Sequence, residues 1–357
     1  MRSRVPCVCL VICMIVGVLS ACTAAPSATA TPTPGNGALE MLTIQSTALA
    51  GNLLGDRSKR SFFVYLPPDY ARGDRRYPTV YVLHGFDVMA TAYTDRVKAV
   101  EDQLAVSGPD NGLIIVFPDC TSQLGGCTYL SSPTIGDYES YIVREIVAQV
   151  DASYRTLATR NSRGVVGCSM GGDGAAHLAL KYPQVFGAFA SIAGTYDWTL
   201  DPNWEVGRQG FKVEPRSWDD LKRHGVEPLQ VDMMAKWRIA EAAAASPNPD
   251  KPPFYLDMPF EIVDNQARIV PDVAAKIGLV DPLHDLAKYL QQPDRLRGMM
   301  LYHASDDPVV SVETSRSFDR TLTSDHIDHI YLEAEGSAHC DMDWTPVVQF
   351  MVDNLAR

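Results

Sequence analysis

No block of lysine and arginine occurs in the chain, and its 31 basic side chains are outnumbered by 43 acidic ones, for a formal net charge of −12. A protein that holds nucleic acid through its phosphates needs a basic face, so no nucleic-acid partner is expected. No internal repeat is visible, which argues against solenoids and propellers. Beyond the first twenty or so residues no long apolar segment exists, so the rest of the chain is not expected to enter a bilayer. Metal-binding patterns are also missing. His326 and His329 in S-D-H-I-D-H-I stand three apart, but no cysteine or helical context joins them, and they read as surface polar residues. No metal and no other cofactor is called for.

What the chain has is enough apolar substance, 46% of 357 residues, for a large buried core. Its start reads as an export signal: basic Arg2 and Arg4, then an apolar run from Val5 to Leu19 shorter than a membrane span. Leu19-Ser20-Ala21-Cys22 resembles a bacterial lipobox, in which the cysteine is lipidated after cleavage; an ordinary cleaved signal or an uncleaved anchor is the alternative. Residues 1–21 are therefore expected to be a lipoprotein-type signal peptide and 22–38, rich in Thr, Pro and Ala, a tether that cannot bury a core. Residues 39–357 form the expected catalytic domain, carried on a cell surface or in a periplasm. Cys7, Cys9 and Cys13 would leave with the signal. Cys120, Cys127, Cys168 and Cys340 remain, an even number in an oxidising compartment.

Short apolar runs then alternate with helical patterns. Strands are expected at Ser61–Leu66, Thr79–Leu83, Gly112–Phe117, Arg163–Gly167, Ala188–Ile192, Met299–Tyr302 and Ile330–Glu333. Helical spacing marks residues between Gly136 and Tyr154, Gly172 to Lys181, and Val347 to Leu355. Uniformly apolar strands point to a sheet buried on both faces, hence an α/β class with a mostly parallel sheet and helices on both sides. One stretch breaks the rhythm. Trp198 to Arg297 separates two neighbouring strand candidates and reads as a cap-like insertion over the strand ends.

Gly167-Cys168-Ser169-Met170-Gly171 is a G-x-S-x-G pattern lying between an expected strand and an expected helix. That context makes Ser169 a nucleophile on a tight turn, with the Met170 N–H aimed at the oxyanion. In such turns the acid and then the histidine follow the serine in the chain. Order removes His84 and His177 and demotes His224, His284 and His303. His339, in the turn Gly336-Ser-Ala-His-Cys340 after the last expected strand, is the favoured base. Asp307, at the head of D-P-V-V, is the favoured acid, with Asp306 its competitor. The loop His84-Gly85-Phe86 should supply the second oxyanion donor through the Phe86 N–H.

Several segments together resemble the esterase D-like family of esterases, which includes S-formylglutathione hydrolases, feruloyl and acetylxylan esterases, and the antigen 85 mycolyltransferases. They are Val64-Tyr-Leu-Pro-Pro-Asp-Tyr70, Tyr77 to Gly85, Gly136-Asp-Tyr-Glu139, and Gly167 to Gly172 with Lys181-Tyr-Pro-Gln-Val-Phe186. The resemblance implies an α/β-hydrolase fold, Ser169, Asp307 and His339 as a triad, and Phe86 and Met170 as oxyanion donors. Cys168-Ser169 and His339-Cys340 further resemble the CS-D-HC pattern of tannases and fungal feruloyl esterases. It implies a Cys168–Cys340 disulfide beneath the triad. Cys120 and Cys127, with glycine at 125 and 126 between them, are expected to close a second, small disulfide loop.

The expected activity is therefore a serine esterase on a small or polymer-linked carboxylic ester, with a feruloyl-type or other aromatic or short acyl group as first choice. Tyr129, Trp198 and Trp344 are the candidate pocket walls. An acyltransferase of antigen 85 type uses the same triad and stays open, as does a lipid-tethered binding protein that has kept the fold without catalysis.

Overall fold

The computed structural model describes residues 37–108, 111–198, 233–263 and 266–357. The expected signal peptide, Cys22, nearly all of the tether, and residues 199–232 of the insertion lie outside the described residues.

The strands of the main sheet are β1 Ala38–Gln45, β2 Lys59–Leu66, β3 Thr79–Leu83, β4 Ile114–Phe117, β5 Arg163–Cys168, β6 Ala188–Ile192, β7 Gly298–Ala304 and β8 Ile330–Ala334. These eight lie in the order β1-β2-β4-β3-β5-β6-β7-β8. β2 pairs antiparallel with both β1 and β4. The other pairs are parallel. This is the α/β-hydrolase fold. Every expected strand is present. β1 is the unexpected one: Ala38, expected to end the tether, already pairs with Leu66. Its half-exposed alternation at a sheet edge carries little of the continuous apolar signal that marks the inner strands.

Helices cover both faces: α1 Thr94–Ser107, α2 (Tyr138–Ser140, the wider turn Tyr141–Ile146, and Val147–Ser153), α3 Met170–Lys181, α4 Met233–Ala245, α5 Pro271–Gly278, α6 Pro282–Tyr289, α7 Val312–Ser324 and α8 Thr345–Asn354. β3 shows why its sequence is apolar throughout. Val80 and Val82 pack with Val97 of α1 and Val347 of α8, whereas Tyr81 and Leu83 pack into the opposite layer with α2 and α3. Successive side chains leave a strand on opposite sides, and both sides here are dry.

Register brings the loops together. Gly167 lies opposite Leu83, and Cys168 opposite Ile192, so β3, β5 and β6 end level. Ala304 of β7 lies opposite Ala334 of β8, which sets residues 305–307 beside the turn that follows β8. The insertion divides. α4 stands over the strand ends, but α6 runs along α3 at the side of the domain. Its second half is therefore packing, not a cover.

Candidate active site

Ser169 sits at the junction of β5 and α3 with φ 58° and ψ −126°, a backbone that side chains adopt only under strain. Two glycines make the junction possible. A Cβ at Gly167 would lie 2.2 Å from the Gly171 carbonyl oxygen, and one at Gly171 would lie 2.2 Å from that of Leu83. The strained turn is held by its backbone: Ser169 N–H donates to Ile192 O at 2.9 Å, and Ser169 O accepts from Gly172 and Asp173 N–H at 2.7 and 3.0 Å.

The serine opens into a cavity of about 450 Å³ that His339, Phe86 and Met170 also line. His339 Nδ1 donates to Asp307 Oδ2 at 2.7 Å. Asp307 Oδ1 accepts the Val309 and Val310 N–H groups at 2.8 and 3.0 Å, so the D-P-V-V turn fixes the carboxylate from behind. Burial alone would raise the Asp307 pKa, but hydrogen bonds from His303 and His339 outweigh it and hold this carboxyl well below its usual range. Asp306 is exposed and its side chain bonds only in its own turn, accepting from Ser305 Oγ at 2.9 Å.

Chain order sets His303 aside as the base, yet it touches the same carboxylate. Its Nε2 lies 3.2 Å from Asp307 Oδ2 and 3.1 Å from Val310 O, and its Nδ1 lies 2.6 Å from Ser315 Oγ. Two acceptors at Nε2 require the proton there, which leaves Nδ1 to accept from Ser315. The ring is fully buried, and it holds the Asp307 carboxylate in place. The apolar strand end carries no signal for this contact.

Cys168 and Cys340 form a disulfide with Cα atoms 5.8 Å apart across 172 residues of chain. It ties the turn carrying Ser169 to the loop carrying His339. The second expected disulfide is absent: Cys120 and Cys127 are free, buried thiols. That expectation rests on an even count and an easily closed loop; the two thiols are neighbours in hydrogen-bond contact, but no S–S bond joins them. The glycines serve packing instead, since a Cβ at Gly126 would meet Met170 Sδ at 2.5 Å. Burial, then the neighbouring Cys127, pushes the Cys120 thiol well above its ordinary pKa.

His84 is structural, as expected. Its Nδ1–H donates to Gly85 O at 2.8 Å and its Nε2 accepts the Cys120 N–H at 2.9 Å, while burial lowers its pKa. The three expected pocket walls are not there. Tyr129 is fully buried beneath the loop, donating to His84 O at 2.7 Å. Trp198 is buried beside Asp281. Trp344 is buried under Tyr93, with ring centroids 4.9 Å apart. Large aromatics are the first side chains a core absorbs, and all three were drawn in. The apolar walls include Phe86, Val88, Tyr93, Met233, Trp237, Val309 and Val310, with Arg96, Asp173, Thr195 and Asp341 as polar lining. Trp237 meets the Phe86 ring edge-on at 5.0 Å, and Lys236 Nζ lies 2.5 Å from Asp87 Oδ1. α4 thus grips the loop that carries the Phe86 N–H. Among the described residues no cluster suited to a metal ion occurs.

Residues 57–225 match the family model described as "Putative esterase". An esterase of Mycobacterium tuberculosis is 29% identical over 206 residues, covering 52% of this chain and 43% of that one. The chain thus spans less than half the length of that curated relative. Among solved structures, a ferulic acid esterase matches with a TM-score of 0.57 at 18% identity, covering 90% of this chain and all of that one. An S-formylglutathione hydrolase from Agrobacterium tumefaciens matches with a TM-score of 0.55 at 16% identity, covering 91% and 98%.

Proposed function

We propose, for a chain whose residues 57–225 match an esterase family and whose fold is that of the α/β-hydrolases, that it hydrolyses carboxylic esters through an acyl-enzyme on Ser169. One observation carries the reading: His339 is bonded through Nδ1 to a buried Asp307 while lining the same cavity as Ser169. With Nδ1–H given to Asp307, Nε2 is the ring nitrogen left to act as base. His339 takes the Ser169 proton as Oγ bonds to the acyl carbon, and the carbonyl electron pair moves onto oxygen. The Phe86 and Met170 N–H groups receive that oxyanion. His339 then returns the proton to the departing alcohol, and water repeats the sequence to release the acid.

The acyl group in this reading is aromatic or short, of feruloyl type. A cavity of about 450 Å³ walled by Phe86, Trp237, Val309 and Val310 supports it, as does the likeness to a ferulic acid esterase. The same reading has the chain exported and lipidated at Cys22, supported by the Leu19–Cys22 pattern and by a disulfide suited to an oxidising compartment. Cys22→Ala should then abolish incorporation of labelled palmitate; unchanged labelling would remove the anchor from the proposal.

The test of activity is p-nitrophenyl acetate hydrolysis. Ser169→Ala should lose it, and equal rates for variant and wild type refute the triad. A panel of esters varied in acyl length and aromaticity, with Trp237→Ala beside wild type, tests the acyl class. Adding an alcohol acceptor to the same assay reveals any transfer.

A further inference from the structure

Tyr93 closes the short turn Ala90–Tyr93 that leads into α1. Its ring is fixed: 7% of the residue is exposed, and the ring lies against Trp344, whose Nε1–H donates to Cys340 O at 3.5 Å. The cavity that Ser169, Phe86, Met170 and His339 line is lined by Tyr93 as well. Gly85 gives the position of its hydroxyl. A Cβ built there would lie 3.0 Å from the Tyr93 hydroxyl oxygen, 3.5 Å from Cys168 O and 3.6 Å from Ser169 Cβ. The hydroxyl and the serine therefore flank one point, beside the loop that carries the Phe86 N–H. That crowding leaves little room for any side chain at position 85.

Burial, partly offset by a hydrogen bond from the Gly85 backbone, pushes the Tyr93 pKa up to about 12, so the hydroxyl keeps its proton at working pH. Among the described residues that proton has no acceptor.

We propose that the Tyr93 hydroxyl is a third hydrogen-bond donor to the oxyanion, beside the backbone N–H groups of Phe86 and Met170. The proposal rests on the serine-esterase reading. As Ser169 Oγ bonds to the acyl carbon, the carbonyl electron pair becomes a full charge on oxygen. A donor already fixed in a mostly apolar cavity stabilises that charge more than it stabilises the neutral ester. No proton leaves Tyr93 in this step; it goes from Ser169 to His339. Backbone donors alone would need no side chain here, whereas a hydroxyl on a ring gripped by Trp344 costs little reorganisation.

Tyr93→Phe removes the hydroxyl and keeps the ring on Trp344. With p-nitrophenyl acetate and the full chain, kcat should fall about 100-fold while KM and the melting temperature stay close to wild type. Inhibition by phenylboronic acid, whose serine adduct is a tetrahedral anion, should weaken by about the same factor. Wild-type kcat and boronate inhibition in Tyr93→Phe overturn the proposal. So does a loss carried by KM and melting temperature, which marks a packing role alone. Ser169→Ala, run alongside, separates the two readings: if it stays active, the esterase reading itself has failed.

Discussion

Asp307 and Asp306 are neighbours with opposite fates, and the difference lies in what each oxygen meets. Asp307 gives Oδ1 to two backbone N–H groups and Oδ2 to two histidines, while Asp306 faces solvent. Asp307→Asn should lower kcat by on the order of 10⁴-fold, because an amide presents the wrong partner to the His339 Nδ1–H. Asp306→Asn should stay within about twofold of wild type in the same ester assay. His303 acts one step back, as a positioning residue. His303→Leu leaves Ser315 Oγ without its buried partner and should lower kcat more than it raises KM, at about 1–3 kcal/mol of stability. His303→Gln, which can still donate to Asp307, should recover most of the rate. Rates in both variants equal to wild type would remove His303 from the site. Asp307 was legible from the D-P-V-V turn, but His303 was not. A buried imidazole on a strand end looks like core until the opposite carboxylate is known.

Among the elements, the turn at Ser169 and the loop at His339 matter most, because the turn is strained by local preference and the loop is tied to it by a disulfide. The positive φ at Ser169 costs about 1–3 kcal/mol locally. The Cys168–Cys340 bond offsets this by restricting the unfolded chain, by about 5 kcal/mol for a loop of 172 residues in the chain-entropy model. Cys168→Ser with Cys340→Ser should therefore lower unfolding free energy by several kcal/mol in a urea titration, and kcat should fall before global unfolding. A double variant with unchanged urea midpoint would show that the link carries no stability. The pairing was readable from C-S and H-C flanking two residues that must meet. The same reasoning failed for Cys120 and Cys127, where only spacing supported it. The insertion was readable as an anomaly of length, but which half covers the site was not: α4 does, and α6 packs on α3.

For the molecule as a whole, one weak point in alkali is the contact that fastens the insertion to the sheet layer. His177 of α3 lies between Asp285 of α6, 2.5 Å from Nδ1, and Glu139 of α2, 3.3 Å from Nε2. Lys181 and Tyr182 also bond Glu139, and Lys288 lies 4.0 Å from Asp285. Burial opposes a charge on His177, but Asp285 and then Glu139 overcome it and raise its pKa to about 8. A raised histidine pKa stabilises the fold fully below its unfolded value and stops doing so as pH rises through the folded value. Roughly 2 kcal/mol should therefore be lost between about pH 6.5 and pH 9. Glu139 runs the other way. Burial would raise its pKa, but His177, Lys181 and Tyr182 bring it down to about 2, so its contribution holds above about pH 4.5 and is lost as pH falls through about 2. Urea midpoints across pH 6 to 9 for wild type and His177→Gln check this: the alkaline slope should flatten in the variant, and parallel curves would discard the His177 contact as its cause.

The amino-acid order by itself pointed to the sheet's inner strands, the turn at Ser169, and Asp307 and His339 as a pair brought together beside it. These rest on local patterns: apolar continuity where both faces are dry, glycines where a Cβ cannot fit, and chain order after the serine. Only the tertiary structure decided which aromatics went to the core, that Trp237 and Tyr93 face the cavity, that His303 shares the Asp307 carboxylate, and that Cys120 and Cys127 remain neighbouring thiols. Those outcomes depend on contacts between segments far apart in the chain, and a side chain's partner across such a distance is set by packing, which no local pattern encodes.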